Sequence, residues 1–270
     1  ADMGIRDLTL NASSLFDTHL PLEEHIRNHV VRKINTNYMS AGLGRLISEG
    51  LMEEPVSFRT HGGRPRDISL GITPIDVAFI AAPSADCAGN CSGKFGPSAC
   101  GSLGYAFPDA MYAKKVIVIT DNLVDYPLPG WSIPEIYVDY VVQVDAIGNP
   151  AGIVSGTTKI TRDPVGLIMA ETAVKVIQHS GLLKDGFSFQ TGAGGASLAA
   201  ARFLMDVMLR DQIHGSFASG GITGYLVDML NAGCFQSLMD VKCFDLKAVE
   251  SIRTNQLDRS EERFSRNAET

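Results

Sequence analysis

The sequence predicts an α/β fold of two related domains with mainly parallel sheets, and three observations carry that prediction. Short β-rich runs alternate with helix-like stretches along most of the chain. The 270 residues are 45% hydrophobic and 20% charged, with 27 Gly and 12 Pro, a balance that folds into packed cores. Part of the chain also repeats itself at a fixed spacing.

The strand-like runs are Asp7 to Leu10, Val30 to Thr36, Val56 to Thr60, Asp76 to Ala81, Lys115 to Thr120, Tyr137 to Val144, Phe187 to Gln190, Gly215 to Ala218 and Ser237 to Val241. Their branched and aromatic residues suit a pleated, half-buried surface. Helical periodicity covers Pro21 to Asn28, Leu43 to Leu51, Pro164 to His179, Ala196 to Arg210, Thr223 to Asn231 and Leu246 to Arg253. The helix from Pro164 has legible ends: Asp163 offers a capping carboxylate, Pro164 fits the first turn, and Gly181 follows as a stop.

Arg6-Asp7 opens a strand, a turn, a helix and a second strand, and Arg210-Asp211 opens the same series. At this offset of 204 residues Ser14 falls on Ala218, Ile26 on Leu230, His29 on Gly233 and Ile34 on Leu238. An internal duplication follows. By that register a counterpart of Phe187 to Met208 belongs before Arg6 and is absent, so the chain is expected to begin inside its first domain. The sequence divides into a first domain over residues 1–160, the start of a second over 161–257, and a polar, disordered tail over 258–270. The boundary is expected near Ile160 to Asp163.

Composition excludes several roles. Lys and Arg total 23 against 30 Asp and Glu, a net charge of −7, and no segment is basic enough to track a phosphate backbone. The apolar stretch Val165 to Ile177 is interrupted by Glu171 and Lys175, and the N-terminus lacks a signal core, so a cytoplasmic protein that neither enters membranes nor binds nucleic acid is expected. Cys87, Cys91, Cys100, Cys234 and Cys243 form no C-x-x-C pair, and reduced thiols are expected. Their spacing fits no common zinc pattern, and no metal on this chain is expected.

The strongest local pattern is Phe187-Ser-Phe-Gln-Thr-Gly-Ala-Gly-Gly-Ala-Ser-Leu, a strand ending in glycines that opens onto an amphipathic helix. Glycines let the backbone approach a ligand, and the helix start presents unpaired N–H groups to an anion or a thioester. Glycines serving only a tight turn remain the alternative. Ser197 occupies the third Gly position of a dinucleotide fingerprint and no acid ends the next strand, so NAD binding is disfavoured. Ser219-Gly220-Gly221 follows the next strand at the same carboxyl edge, and its amides could hold an oxyanion. His61-Gly-Gly-Arg-Pro-Arg suits a polycarboxylate, because a guanidinium grips a carboxylate through two parallel hydrogen bonds. An exposed basic loop is its alternative. His19, His25 and His29 read as solvated, and no G-x-S-x-G, H-E-x-x-H or Walker loop occurs.

Pro83-Ser-Ala-Asp-Cys-Ala-Gly-Asn-Cys-Ser-Gly, Gly96-Pro-Ser-Ala-Cys-Gly-Ser-Leu-Gly-Tyr-Ala, Ala113-Lys-Lys-Val-Ile-Val-Ile-Thr-Asp-Asn and Val138-Asp-Tyr-Val-Val-Gln-Val-Asp resemble the CoA-transferase superfamily. His61-Gly-Gly-Arg, Ile75-Asp-Val-Ala-Phe, Asp145-Ala-Ile-Gly-Asn-Pro and the Gly186 to Ala199 segment are similar to the citrate lyase alpha subunit family, the citrate CoA-transferase component. The resemblance runs from about Met3 to about Thr254.

It implies two CoA-transferase-like domains, the second incomplete here, and a subunit that exchanges acetyl for citryl on an acyl carrier protein thioester, releasing acetate. The thiol would belong to a CoA-derived prosthetic group on the carrier, or to acetyl-CoA as a substitute. A separate citryl lyase subunit would be the other partner. Gln190, Gly192, Gly194 and Gly195 would line the thioester or pantetheine site. Ser219, Gly220 and Gly221 would lie where better-known CoA-transferases carry a nucleophilic glutamate, and no acid occupies Ser216 to Gly224. The resemblance assigns no arginine; His61, Arg64 and Arg66 are citrate candidates on chemistry alone. The family's chains extend beyond both ends of this one, so a fragment with exposed strand edges and low stability or an associating partner is expected. A non-catalytic scaffold or ligand-binding protein on the same fold, a truncated inactive fragment and a general acyl-CoA transferase are the competing readings.

Overall fold

The computed structural model describes residues 3–153, 159–192, 194–254 and 259–260. Its contacts divide the chain into two units, residues 1–75 and residues 76–270.

The first unit runs through β1 (Leu8–Asn11), β2 (Ser14–Leu15), α1 (Leu22–Arg27), β3 (Val31–Thr36), β4 (Tyr38–Met39), α2 (Ala41–Leu46), β5 (Ser57–Phe58) and α3 (Gly63–Ser69). Strands β1, β3 and β5 form a parallel sheet in that order, and β2 pairs with β4, also in parallel. Leu15, Ile26, Val31, Ile34 and Leu43 make its core. Helix α3 forms where the sequence suggests only a basic loop. Thr60 Oγ1 accepts from the amide of Gly63 at 2.9 Å, and Pro65 sits in the first turn, where its missing N–H costs nothing.

The second unit contains β6 (Val77–Ala81), β7 (Ser84–Asp86), β8 (Cys91–Ser92), α4 (Ala106–Tyr112), β9 (Lys115–Thr120), β10 (Leu123–Val124), β11 (Tyr140–Gln143), α5 (Pro164–His179), β12 (Ser188–Thr191), α6 (Gly195–Asp211), β13 (Gly215–Ile222), α7 (Gly224–Asn231), β14 (Phe235–Cys243), α8 (Leu246–Thr254) and β15 (Arg259–Ser260). A parallel sheet of order β12-β13-β14-β15 carries the larger core, in which Leu204 and Met208 of α6 meet Ala218, Ile222, Leu226, Met229 and Leu238. Strand β15 falls within the predicted tail; residues 255–258 and 261–270 of that region lie outside the described residues. Helix α5 matches its sequence bounds, because Asp163 Oδ2 accepts from the amide of Gly166 at 2.8 Å and Gly181 adopts φ 75° just beyond the end.

A second parallel sheet has the order β11-β9-β6. One face is packed: Ala78, Ile80, Val116 and Val118 are buried. The other carries Val77 and Phe79 in register with Lys115 and Ile117, with Tyr140 opposite Ile117 and Val142 opposite Ile119. Phe79 is 68% exposed and Tyr140 58%, an uncovered apolar face unusual for a parallel sheet.

The two units repeat one plan. Val30 N–H donates to His25 O at 2.8 Å in the first, and Cys234 N–H to Met229 O at 2.9 Å in the second. His29 and Gly233 both adopt left-handed backbone, at φ 53° and 76°. Ser40 N–H donates to Leu15 O at 2.8 Å, as Phe244 N–H does to Ile222 O at 2.8 Å. The constant offset of the sequence register needs one correction. Ser14 pairs with Tyr38 and Gly221 with Lys242, so Ser14 corresponds to Gly221 and not to Ala218. The first copy spends extra residues between strand and helix, on a tight turn at Asp17–His19, whereas Thr223 alone separates β13 from α7.

Candidate functional site

In an open parallel sheet the carboxyl ends of the strands leave a crevice where ligands bind. In the second unit that edge brings the two glycine clusters together. Gln190 is in register with Ser219, and Thr191 with Gly220, on neighbouring strands β12 and β13. A Cβ placed on Gly220, whose φ is 119°, would lie 2.9 Å from the carbonyl oxygen of Thr191 and 3.5 Å from Nε2 of Gln190. The predicted cofactor-binding and catalytic residues are therefore immediate neighbours.

Ser219, Gly220 and Gly221 do not form a turn after the strand, as the sequence suggests; they are part of β13, which extends to Ile222. Pairing with the long strand β14 holds them extended, with Gly220 opposite Asp240 and Gly221 opposite Lys242. The skipped residue, Val241, is a bulge on β14. Gly104 fits against it, its missing Cβ leaving room for Val241 Cα at 3.0 Å and Val241 O at 3.2 Å. Gly101, at φ 91°, lies against the Cys243 side chain in the same way. The glycine-rich segment after β8 thus closes over the carboxyl end of β14.

The turn that precedes β8 is held by Asp86, which also ties it to the loop at Leu128. Its Oδ1 accepts from the amides of Ala88, Gly89 and Asn90 at 3.0, 3.0 and 3.1 Å, and its Oδ2 from Leu128 N–H at 2.8 Å and Asn90 Nδ2 at 2.9 Å. Burial pushes this carboxyl up, but the hydrogen bonds together hold it below the usual aspartate value. Burial, aided by the nearby Asp86 charge, pushes the Cys91 thiol up to about 12.

The other glycines divide by what surrounds them. A Cβ at Gly195 would meet the backbone of Thr161 at 3.0 Å and of Lys159 at 3.1 Å, so glycine is required there for packing. At Gly192 and Gly194 it would meet, among the described residues, only Ser197 Oγ, 3.9 Å away. Ala193 lies outside the described residues. Gly194 also caps the 17-residue helix α6 without a side-chain hydrogen bond, leaving first-turn amides available to a ligand. The space beside Gly192 and Gly194 is what a thioester arm needs.

Lys242 is a residue that sequence reading passed over. It is the register partner of Gly221, and burial pulls its ammonium below the usual lysine value, partly offset by Cys100. A cation near the carboxyl end of the strand was the available signal.

In the first unit the carboxyl edge is polar. Asn11, Asn35, Thr36, Asn37, Arg59, Arg64 and Thr73 line a cavity of about 10 Å³, enough for one water-sized group. Arg64 is 6% exposed within it. Arg66 faces solvent and ion-pairs with Asp67 at 3.7 Å, and His61 is exposed, so α3 separates the three predicted citrate candidates. A larger depression, about 450 Å³, lies at the opposite, amino end of the second unit's sheet, between Asp185, Gln212 and His214. Among the described residues no cluster of three or more His, Cys, Asp or Glu could hold a metal, and no helix is long and apolar enough to cross a membrane.

Residues 1–268 match the family described as citrate lyase, alpha subunit (CitF). The chain is 50% identical over 255 residues to the citrate lyase alpha chain of Klebsiella pneumoniae, covering 94% of this chain and 50% of that one. A Streptococcus mutans structure described as the alpha subunit of citrate lyase in complex with citrate superposes with a TM-score of 0.94 at 47% identity, covering 98% of this chain and 52% of that one. A 4-hydroxybutyrate CoA-transferase from Porphyromonas gingivalis superposes at 0.53 with 14% identity, covering 96% of this chain and 64% of that one, a likeness of fold. The chain spans about half the length of the citrate lyase relatives it matches.

Proposed function

The chain belongs to the citrate lyase alpha subunit family, and from that footing we propose that it takes part in cytoplasmic citrate activation as a CoA-transferase component. The reaction exchanges acetyl for citryl on a thioester carried by an acyl carrier protein, with a citryl lyase subunit as the further partner. The observation that carries this reading is the side-by-side register of Gln190 and Thr191 with Ser219 and Gly220 at one carboxyl edge.

No acid occupies Ser216 to Gly224, so an enzyme-bound glutamyl thioester has no residue to form on in this strand. A citrate carboxylate would instead attack the acetyl thioester carbon directly, the C–S bond breaking to give a thiolate and a citryl–acetyl mixed anhydride. The thiolate would then attack the citryl carbonyl, and acetate would leave with the bridging oxygen. Each step passes through an oxyanion, which backbone donors at Ser219, Gly220 and Gly221 and the charge of Lys242 would stabilise. Gln190, Gly192 and Gly194 would seat the thioester arm, with the first-turn amide of Gly195 beside them. Among the citrate candidates, Arg64 has the burial that strengthens a charged contact, whereas Arg66 and His61 are exposed.

The test is a mass-spectrometric assay of the purified chain with citrate and acetyl-CoA. A citryl thioester appearing together with free acetate supports the reading. Neither product, in a buffer where the full-length Klebsiella relative is active, overturns it for this chain, and a trapped protein thioester would replace direct attack by a covalent route.

A further inference from the structure

The polar cavity at the carboxyl edge of the first unit carries a more specific reading than carboxylate capture. One of its amides, Asn37, has its orientation fixed by a backbone carbonyl. Asn35 Nδ2 donates to Asn11 Oδ1 at 2.6 Å, and Asn37 Nδ2 donates to the carbonyl oxygen of Thr60 at 2.8 Å. The carbonyl of Thr60 can only accept, so the Asn37 oxygen faces its other surroundings as an acceptor, whereas the Asn11 and Asn35 amides can exchange donor and acceptor roles. Asn37 Oδ1 is buried and, among the described residues, accepts no hydrogen bond. Two cations border the same space. Arg59 is held by Asp67 at 2.9 Å, and Arg64 is almost fully buried. An acceptor and guanidinium donors thus converge on a cavity of about 10 Å³.

A bare carboxylate satisfies only half of such a site, since it accepts from arginine but has no proton for an amide oxygen. A hydroxyl does both: it donates to one oxygen and accepts from a cation, and it is the size of the cavity. We propose that this cavity reads the hydroxyl of a hydroxycarboxylate, with Asn37 as the acceptor and the adjoining carboxylate on the arginines. The inference rests on the citrate reading above and narrows it to a specificity determinant in the first unit. Leaving a buried acceptor unpaired costs about 1–3 kcal/mol, which is roughly 5- to 150-fold in affinity.

The test compares citrate with tricarballylate, which keeps the three carboxylates and has hydrogen in place of the hydroxyl, by titration calorimetry on the whole chain at constant ionic strength. Citrate is expected to bind at least about fivefold more tightly. In Asn37→Leu the ratio is expected to fall towards one, because citrate affinity drops while tricarballylate affinity holds. A purely structural role for Asn37 would weaken both ligands alike and leave the ratio intact, which overturns the assignment. Equal affinities in the unsubstituted chain defeat the hydroxyl reading but leave carboxylate binding standing. Binding of neither compound defeats both. If Asn37→Leu does not fold, Asn37→Ala and the unsubstituted chain's ratio decide, the truncated variant being expected to lose citrate preference.

Discussion

The ring of Phe244 lies directly over the backbone of Gly221, so that a Cβ at Gly221 would fall inside it. The Phe244 backbone is anchored at the same place, its amide donating to Ile222 O at 2.8 Å at the end of β13. Gly221→Ala is therefore expected to destabilise the protein by about 1–3 kcal/mol through overpacking. Thermal unfolding would show a fall of about 2–4 °C for each kcal/mol. Combining it with Phe244→Ala should cost less than the two changes summed, because the second removes the clash; simple additivity in that cycle would refute the contact.

Asp86 ties the Ala88 to Asn90 turn before β8 to the loop at Leu128. Asp86→Ala strands four backbone donors and one amide, and a loss of about 3 kcal/mol or more is expected. The pH dependence has a definite sign. The carboxyl is held below its usual value in the folded protein, so its contribution is full above that value, near 3.8, and is lost as pH falls through the lower folded value. Urea midpoints of the unsubstituted and Asp86→Asn chains should differ most at neutral pH and converge below about pH 4. A gap that widens with acid would contradict the network.

Cys87 is exposed, whereas Cys91 is buried with its thiol pushed up to about 12. Thiolate is the reactive form, so at pH 8 iodoacetamide should label Cys87 within minutes and Cys91 only on unfolding. Peptide mapping by mass spectrometry reads both sites, and early labelling of Cys91 in the native protein would show that β8 is not packed as described.

The uncovered face of the β11-β9-β6 sheet should bind apolar dyes and promote association. Phe79→Lys is expected to reduce anilinonaphthalene sulfonate fluorescence and light scattering while changing stability by no more than about 0.5 kcal/mol, since the side chain touches mostly solvent. A large loss of stability would mean that Phe79 is packed.

Much of this was legible in the linear sequence, for local reasons. Strand β9 and helix α5 keep their sequence bounds, because branched residues and an Asp-Pro cap act within a few residues of themselves. The duplication was legible because apolar positions recur, and at His29 and Gly233 even the unusual left-handed backbone recurs. Helix α3 was missed because Gly62, Gly63 and Pro65 read as loop formers, and its start depends on the side chain of Thr60. The placing of Ser219 to Gly221 after the strand failed for a different cause. Glycine by itself favours a turn, and only pairing with β12 and β14 on either side holds these residues extended.

By itself the sequence determined the alternation of elements, the repeat, the family and the two glycine clusters, since each depends on residue type and short-range spacing. The tertiary structure decided that Gln190 lies beside Ser219, that Lys242 belongs to the same edge, and that Arg64 is buried while Arg66 is not. Those outcomes depend on which strands pair, in which register, and which helix face meets the sheet. Such choices are settled by burial between segments far apart in the chain, and no local pattern encodes them.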